Sequence, residues 1–140
     1  LERARIRGLE LEAGARLGAW SLRGQLGALD PRNLSAGANH GKQLPRRATR
    51  SARLDLDRDL GTAWSFGLSG IAEAARWDDV ANTLRVAGHA TLDARLRWAF
   101  APGWAVQATL ANALDQRYET TAFYRQPGRT ATVMLRWQPR

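Results

Sequence analysis

The chain contains no cysteine, a single lysine (Lys42), a single methionine (Met134) and five prolines in 140 residues. Without cysteine there is no disulfide scaffold and no thiolate metal site. No stretch of about 18 apolar residues is present, which excludes a helical membrane protein. There is no initiating methionine either. The opening at Leu1 suggests a piece of a longer protein, and a leader in front of it would not be visible. The scarcity of lysine makes the net charge of +8 an arginine charge. Such basicity points first to polyanions: nucleic acid, lipid phosphate or lipopolysaccharide. An arginine bias also arises from a GC-rich genome, with no binding role. The arginines are dispersed and no base-stacking motif accompanies them, so no nucleic acid partner is expected.

What the sequence does have is alternation. Apolar and polar residues exchange places at every second position in about seven separate runs, the signature of strands with one apolar and one wet face. In "SARLDLDRDL", Ala52, Leu54, Leu56 and Leu60 oppose Arg53, Asp55, Asp57 and Asp59, with Arg58 as an exception on the apolar side. In "HATLDARLRWA", Ala90, Leu92, Ala94, Leu96 and Trp98 oppose Thr91, Asp93, Arg95 and Arg97. The closing run "TATVMLRW" sets Ala131, Val133, Leu135 and Trp137 against Thr130, Thr132, Met134 and Arg136. The first run, "RARIRGLELEA", puts Ile6 out of phase with Leu9 and Leu11, which predicts a bulge near Gly8. The runs are roughly 9–11 residues long, the length that a tilted strand needs to cross a bilayer; soluble strands are nearer to about 5–6.

The connections carry a second signal. Short turns ("GARLG", "GT", "APG") alternate with long polar stretches ("DPRNLSAGANHGKQLPRRATR", "ARWDDVANTLRVAG", "ALDQRYETTAFYRQPGR"). In an up-and-down meander all short turns then lie at one end and all long loops at the other, the layout of outer-membrane barrels. Trp20, Trp64, Trp98, Trp104 and Trp137 lie on the apolar face near the short-turn end, as a membrane-interface girdle would; Trp77, in a long loop, is the exception. A soluble sandwich would bury such residues mid-strand.

Sites of chemistry are few. Asp55, Asp57 and Asp59 could be read as a metal ladder, but calcium favours a tightly turning loop over an extended strand. Glu10 and Glu12 lack a cleft for carboxylate catalysis, and His40 and His89 have no partner at ligand spacing. No nucleophile elbow or phosphate loop is present, so no enzyme is expected. Asn112 and Asp115 are read as organisers of a turn. Tyr118, Phe123, Tyr124 and Arg125 form an aromatic and basic cluster at the outer rim and are the candidates for ligand contact. Arg46, Arg47 and Arg50 are the candidates for contact with lipopolysaccharide phosphates.

Three stretches carry a family likeness. "ARIRGLELEA" resembles the RGxE strand opening of TonB-dependent outer-membrane receptors. "ATLANALDQRYET" resembles their penultimate-strand motif N-L-F-D-x-x-Y, matched by Asn112, Leu114, Asp115 and Tyr118, with Ala113 and Leu114 standing for the more usual Leu and Phe. "QPGRTATVMLRW" resembles their closing segment, in which Pro127, Gly128 and Arg129 lead into the last strand. The chain departs from the pattern by ending on "WQPR" rather than on an aromatic residue. Within the family the likeness is nearest to the cobalamin transporters, through "RARIRGLE", "LPRRA" and "YETTAFYRQPGR". The resemblance implies an all-β fold: an antiparallel up-and-down meander of about seven strands, residues 1–140 forming the C-terminal part of a transmembrane barrel of about 22 strands. It further implies an outer-membrane location, contact with lipid and lipopolysaccharide, and a plug domain and TonB-coupling segment outside this chain. It implies cobalamin as ligand and no cofactor in this segment, calcium belonging to other parts of the full-length receptor. The rival reading is a self-contained small all-β module that binds polyanions.

Overall fold

The computed structural model describes residues 2–139. The strands are β1 (Ala4–Leu17), β2 (Trp20–Asn33), β3 (Arg50–Leu60), β4 (Trp64–Glu73), β5 (Arg76–Trp77), β6 (Arg85–Val86), β7 (His89–Ala101), β8 (Trp104–Ala111), β9 (Glu119–Thr121), β10 (Tyr124–Arg125) and β11 (Thr130–Trp137). Seven of them form one sheet in the order β1-β2-β3-β4-β7-β8-β11, every pair antiparallel and every neighbour the next long strand in the chain. This is the expected meander, and the described residues contain no helix. The remaining four strands make two small hairpins, β5–β6 and β9–β10, inside the second and third long loops.

The register keeps every apolar run on one face. The row Leu11–Leu26–Ala52–Ala72–Ala90 crosses five strands, and Leu22–Leu56–Leu68–Ala94–Leu110 runs parallel to it. This face is open: Leu9 and Val133 each expose 73% of their surface, and they are not exceptional. The polar face is the more occluded one, with Ser69 at 3%, as befits the inner side of a curved sheet. There, Arg53 Nε and Nη2 donate to the Asp55 carboxylate at 2.7 and 2.9 Å, Ser69 Oγ donates to Asp55 Oδ1 at 2.5 Å, and Arg95 reaches both Ser69 Oγ (3.0 Å) and Asp57 Oδ1 (2.5 Å). Asp55 and Asp57 therefore belong to an ion-paired seam across β3, β4 and β7, and the described residues contain no group of three or more metal-ligating acidic, His or Cys side chains. Arg95 can cross β4 because Gly67 lies beneath it: a Cβ there would stand 2.5 Å from Arg95 Nε and 2.6 Å from Asp57 Oδ1.

Two expectations are corrected, and one exception is explained. β1 and β2 pair without a break from Ala4↔Asn33 to Leu17↔Trp20, so there is no bulge near Gly8. Ile6 lies on the inner face opposite Pro31, and Gly8 clears room for Leu29, whose Cδ1 would lie 3.1 Å from a Cβ at that position. The first long loop begins not at Asp30 but after Asn33. Pro31 is tolerated within β2 because β3 has already ended beside it. Leu29 N bonds to Thr49 O, so the N of residue 31 points to the same vacated side, where Pro31 O accepts from Leu44 N at 2.9 Å. Arg58 sits among apolar side chains because its guanidinium lies 4.7 Å from the centre of the Trp20 ring, opposite it across β2–β3.

The short connections reduce to 18–19, 61–63 and 102–103, with Gly18, Gly61 and Gly103 at φ of 60°, 74° and 78°. Only glycine takes these values at no steric cost, which lets such turns close without splaying the strands.

Two outcomes follow from this architecture. Replacing Gly67 by valine in the full-length protein forces the Arg95–Asp57 pair apart, and a loss of about 1–3 kcal/mol is expected, read as a lower urea midpoint for the protein folded into liposomes. The isolated 140-residue polypeptide in detergent-free buffer leaves an apolar face without lipid and the outer edges of β1 and β11 without partners. It is expected to aggregate on size-exclusion chromatography; a monomeric, cooperatively melting species would contradict a barrel segment.

Candidate functional site: a basic cleft at the loop end

All long loops rise from one end of the sheet, and side-chain bonds brace each of them. In the loop between β5 and β6, the Asp79 carboxylate accepts from Leu84 N and Thr83 N at 2.9 Å each and from Thr83 Oγ1 at 2.8 Å. These bonds, that from the Leu84 amide above all, hold the Asp79 carboxyl below the usual carboxylate range. Asn82 ties this loop to the first one, donating to Gln43 O and accepting from Gln43 N, both at 2.9 Å.

The third loop is held by the two residues read as turn organisers, Asn112 and Asp115. Asn112, 5% exposed, takes a left-handed conformation (φ 49°) and closes a ring with Gln116: its Nδ2 donates to Gln116 O (2.9 Å) and its Oδ1 accepts from Gln116 N (3.0 Å). The Asn112 amide donates to Asp93 Oδ1 at 2.7 Å, tying the turn to β7. Asp115, also left-handed (φ 53°), accepts from Arg129 N at 2.9 Å. A Cβ at Gly128 would lie 2.7 Å from Asp115 Oδ1, so a larger residue there displaces the carboxylate from the Arg129 amide. Asn112, Asp115, Pro127, Gly128 and Arg129 thus lock the start of the loop to its end. Leu114, by contrast, is 72% exposed and takes no part in the lock.

Between this loop and the strand β6 with its exit, Arg85–Gly88, opens a cleft of about 710 Å³. Arg85, Arg117 and Arg125 line it, together with Tyr118, Gln116 and Gln126. None of the three arginines forms an ion pair among the described residues. Two acids line it as well, and each accepts one backbone amide: Asp115 from Arg129 N at 2.9 Å and Glu119 from Phe123 N at 3.1 Å, so the cleft is basic by one charge. Tyr118 is fixed by stacking on His89, ring centres 4.1 Å apart and planes at 18°. His89 is in turn beside Glu73, which also pairs with the buried Arg76. Gly88 lets this segment pass close over β4, since a Cβ would lie 2.7 Å from Glu73 O. A cavity of this size with three unpaired guanidiniums suits an anionic ligand of small-molecule dimensions.

Of the four residues expected at the ligand, the structure brings Tyr118 and Arg125 into the cleft. Phe123 (84% exposed, φ 68°) and Tyr124 (70%) stand instead on the β9–β10 hairpin, outside its lining. Arg85 and Arg117 escaped sequence reasoning: they come from different loops, and only the neighbour Tyr118 hinted at Arg117. Arg46 (φ 57°) is bound to Asp78 at 3.1 Å, and the Arg47 carbonyl accepts from Gln43 Nε2 at 2.7 Å, so both belong to the bracing of the first loop; Arg50 lies on the sheet.

At the opposite end the tryptophans meet. Trp64 stacks on Trp98 (5.2 Å, 7°), and Phe100, unforeseen in the sequence, bridges Trp98 and Trp104 at 5.4 and 6.3 Å. Trp137 lies 5.9 Å from Trp104, and Trp20, at the same end, is covered by the Arg58 guanidinium.

Two outcomes test the bracing. Asn112→Ala leaves the buried groups of the turn without partners, and should cost about 1–3 kcal/mol locally, seen as faster hydrogen exchange at the Gln116 amide. The Asp79 brace is sensitive to acid in one direction. With its pKa lowered in the folded loop, its contribution is present above the ordinary aspartate value of 3.8 and vanishes as pH falls through the lowered one. Asp79→Asn should therefore loosen the 79–84 loop at pH 7 and make its hydrogen exchange lose that acid dependence.

Comparison with known proteins agrees with this geometry. The family model "TonB dependent receptor-like, beta-barrel" matches residues 1–113. Among solved structures, the siderophore receptor PiuA from Acinetobacter baumannii superposes with a TM-score of 0.84 at 21% identity, over 96% of this chain and 22% of its own. The ferric citrate transporter FecA in its unliganded form gives 0.89 at 21%, over 96% and 24%. The ferric yersiniabactin uptake receptor FyuA from Yersinia pestis gives 0.76 at 24%, over 94% and 22%. The chain spans less than a quarter of the length of each of these three proteins. Its apolar outer face, hydrated inner face and alternation of short turns with long loops are those of a barrel wall, and the chain belongs to the TonB-dependent receptor family, as a stretch of its β-barrel in the outer membrane of Gram-negative bacteria.

Proposed function

We propose that this chain supplies wall and extracellular loops to a receptor that actively imports a large, scarce nutrient. Ligand would be captured at the loop end, and a TonB complex acting on a plug domain elsewhere in the protein would open the path through the barrel. The observation that carries this reading is the cleft lined by Arg85, Arg117 and Arg125 at the loop end of a receptor-family wall. Chemistry is not part of the role: the family consists of transport receptors.

The sequence likeness supports cobalamin as the ligand. A second reading, an anionic metal chelate, is favoured by the three unpaired guanidiniums. Uptake of labelled cyanocobalamin and of ferric citrate or ferric siderophores by cells with and without the full-length gene separates the two. The Arg85→Ala, Arg117→Ala, Arg125→Ala triple variant is expected to weaken ligand binding by at least about tenfold, since a lost charge-assisted hydrogen bond costs roughly 1.5–3 kcal/mol. Unchanged binding by the triple variant would remove the cleft from ligand capture.

A further inference from the structure

The two walls of the cleft touch at one pair of rings. One wall is β6 with its exit, ending at Gly88, and the next residue is His89, the first of β7. The other wall carries Arg117, Tyr118 and Glu119. The stack of His89 on Tyr118, ring centres 4.1 Å apart, therefore joins wall to wall. Both rings are anchored behind. A Cβ at Gly88 would lie 2.7 Å from Glu73 O and 2.9 Å from Ala75 N, so the chain enters β7 pressed against the exit of β4. Tyr118 O accepts from Gln126 N at 3.0 Å, which passes the position of Tyr118 to the returning arm of the loop, next to Arg125. The stack thus sets the gap between Arg85 on one side and Arg117 and Arg125 on the other.

His89 is more than a spacer. Its side chain is only 6% exposed, and its Nε2 lies 3.8 Å from Oε2 of Glu73, its partner across β4–β7. Its Nδ1 is buried and has no hydrogen-bond partner among the described residues. With the acceptor on the Nε2 side, the neutral ring carries its proton there, and the Nδ1 lone pair is a vacant proton site. Three charged or titratable groups face the ring: Glu73 from β4, Arg76 from β5, which pairs with the Glu73 carboxylate, and Tyr118 from the third loop. The carboxylate and the aromatic face favour an imidazolium, while burial and the guanidinium oppose it. Glu73 and Arg76 cancel, so a proton on His89 leaves this cluster with a net positive charge directly beneath the cleft. Histidine changes charge between about pH 5 and 8, and no histidine stands in the cleft lining itself.

We propose that His89 is a positioning residue with a proton-linked role: its stack on Tyr118 fixes the gap between the cleft walls, and it takes up a proton when an anionic ligand binds, so that such a ligand is held more tightly as pH falls. The opposing influences on the imidazole are near balance, and an anion one ring above it tips them toward the charged form. The coupling is reciprocal: a ligand that draws a proton onto His89 gains affinity wherever that proton is already present. The cleft is basic by one charge with His89 neutral and gains a second beneath its floor when His89 is protonated. The inference rests on the reading of this cleft as the capture site for an anionic ligand.

The test uses the full-length receptor in detergent and pyrenetetrasulfonate as probe, a fluorescent anion whose sulfonates stay ionised throughout. Binding is followed by fluorescence anisotropy from about pH 8 to about pH 5.5. Wild-type affinity is expected to rise about three- to tenfold over that range, the effect of one added charge near the site. His89→Phe keeps a ring for Tyr118 but takes no proton, and its affinity should be flat in pH. His89→Gln loses ring and proton together. It should also be flat, and in the absence of ligand it should lower the hydrogen-exchange protection of the Gln126 amide, which His89→Phe preserves. Calorimetry of the wild type in two buffers of different ionisation heat should show protons taken up on binding, a measurement that stands even where a variant fails to fold. A wild-type affinity flat in pH, a slope retained by His89→Phe, or full Gln126 protection in His89→Gln overturns the proposal and leaves the cleft a ligand site. Absent binding, or binding that the R85A/R117A/R125A variant does not reduce, instead fails the cleft reading, and the proposal with it.

Discussion

Within a bilayer no water replaces a lost backbone hydrogen bond, and each unpaired group costs several kcal/mol. The long strands of this chain answer that cost with ladders that run without a shift from β1 to β7; the one irregularity, between Trp98 and Ala101, lies at the short-turn end. Once the ladder is unbroken, side chains alternate with no freedom to change face, because the period of a strand is two. The clean division into a leucine-rich outer face and a charged inner face is a consequence of that backbone requirement.

The inner face then has to satisfy itself. Asp55 and Asp57 on β3 and Arg95 on β7 stand opposite serine or glycine on β4, which leaves space for long side chains to cross between strands that are not neighbours: Arg95 reaches Asp57 over Gly67. Small residues on the middle strand are thus part of the electrostatics. The same device appears outside, where an alanine row opens a groove among the leucines.

The loops obey a different rule. They lie outside the ladder, so each is held by a few side-chain-to-backbone bonds: Asp79 closes one turn, and Asn112 with Asp115 closes another. Such locks fix the base of a loop and leave its lining free to vary. The three cleft arginines, without acidic partners, stand on bases of this kind, which gives a rigid wall an adaptable rim.

By itself the sequence determined the seven long strands, their faces, their order and the end from which the long loops rise, because alternation and turn residues are local signals that lipid solvation leaves uncontradicted; the two small loop hairpins it did not show. It even carried the turn lock, since Asn112, Asp115 and Gly128 act through bonds near in sequence or across one loop. Where a residue broke the pattern, local reading failed. Ile6 suggested a bulge, and only pairing with Pro31 shows it to be an inward side chain beside a glycine gap; Arg58 looked misplaced until Trp20 was found across from it. Arg85 and Arg117 meet in one cleft although 32 positions separate them, and His89 meets Glu73 of β4 and Tyr118 of the third loop. These groupings depend on register and loop approach, which are set by hydrogen bonds between strands, and so only the tertiary structure decided them.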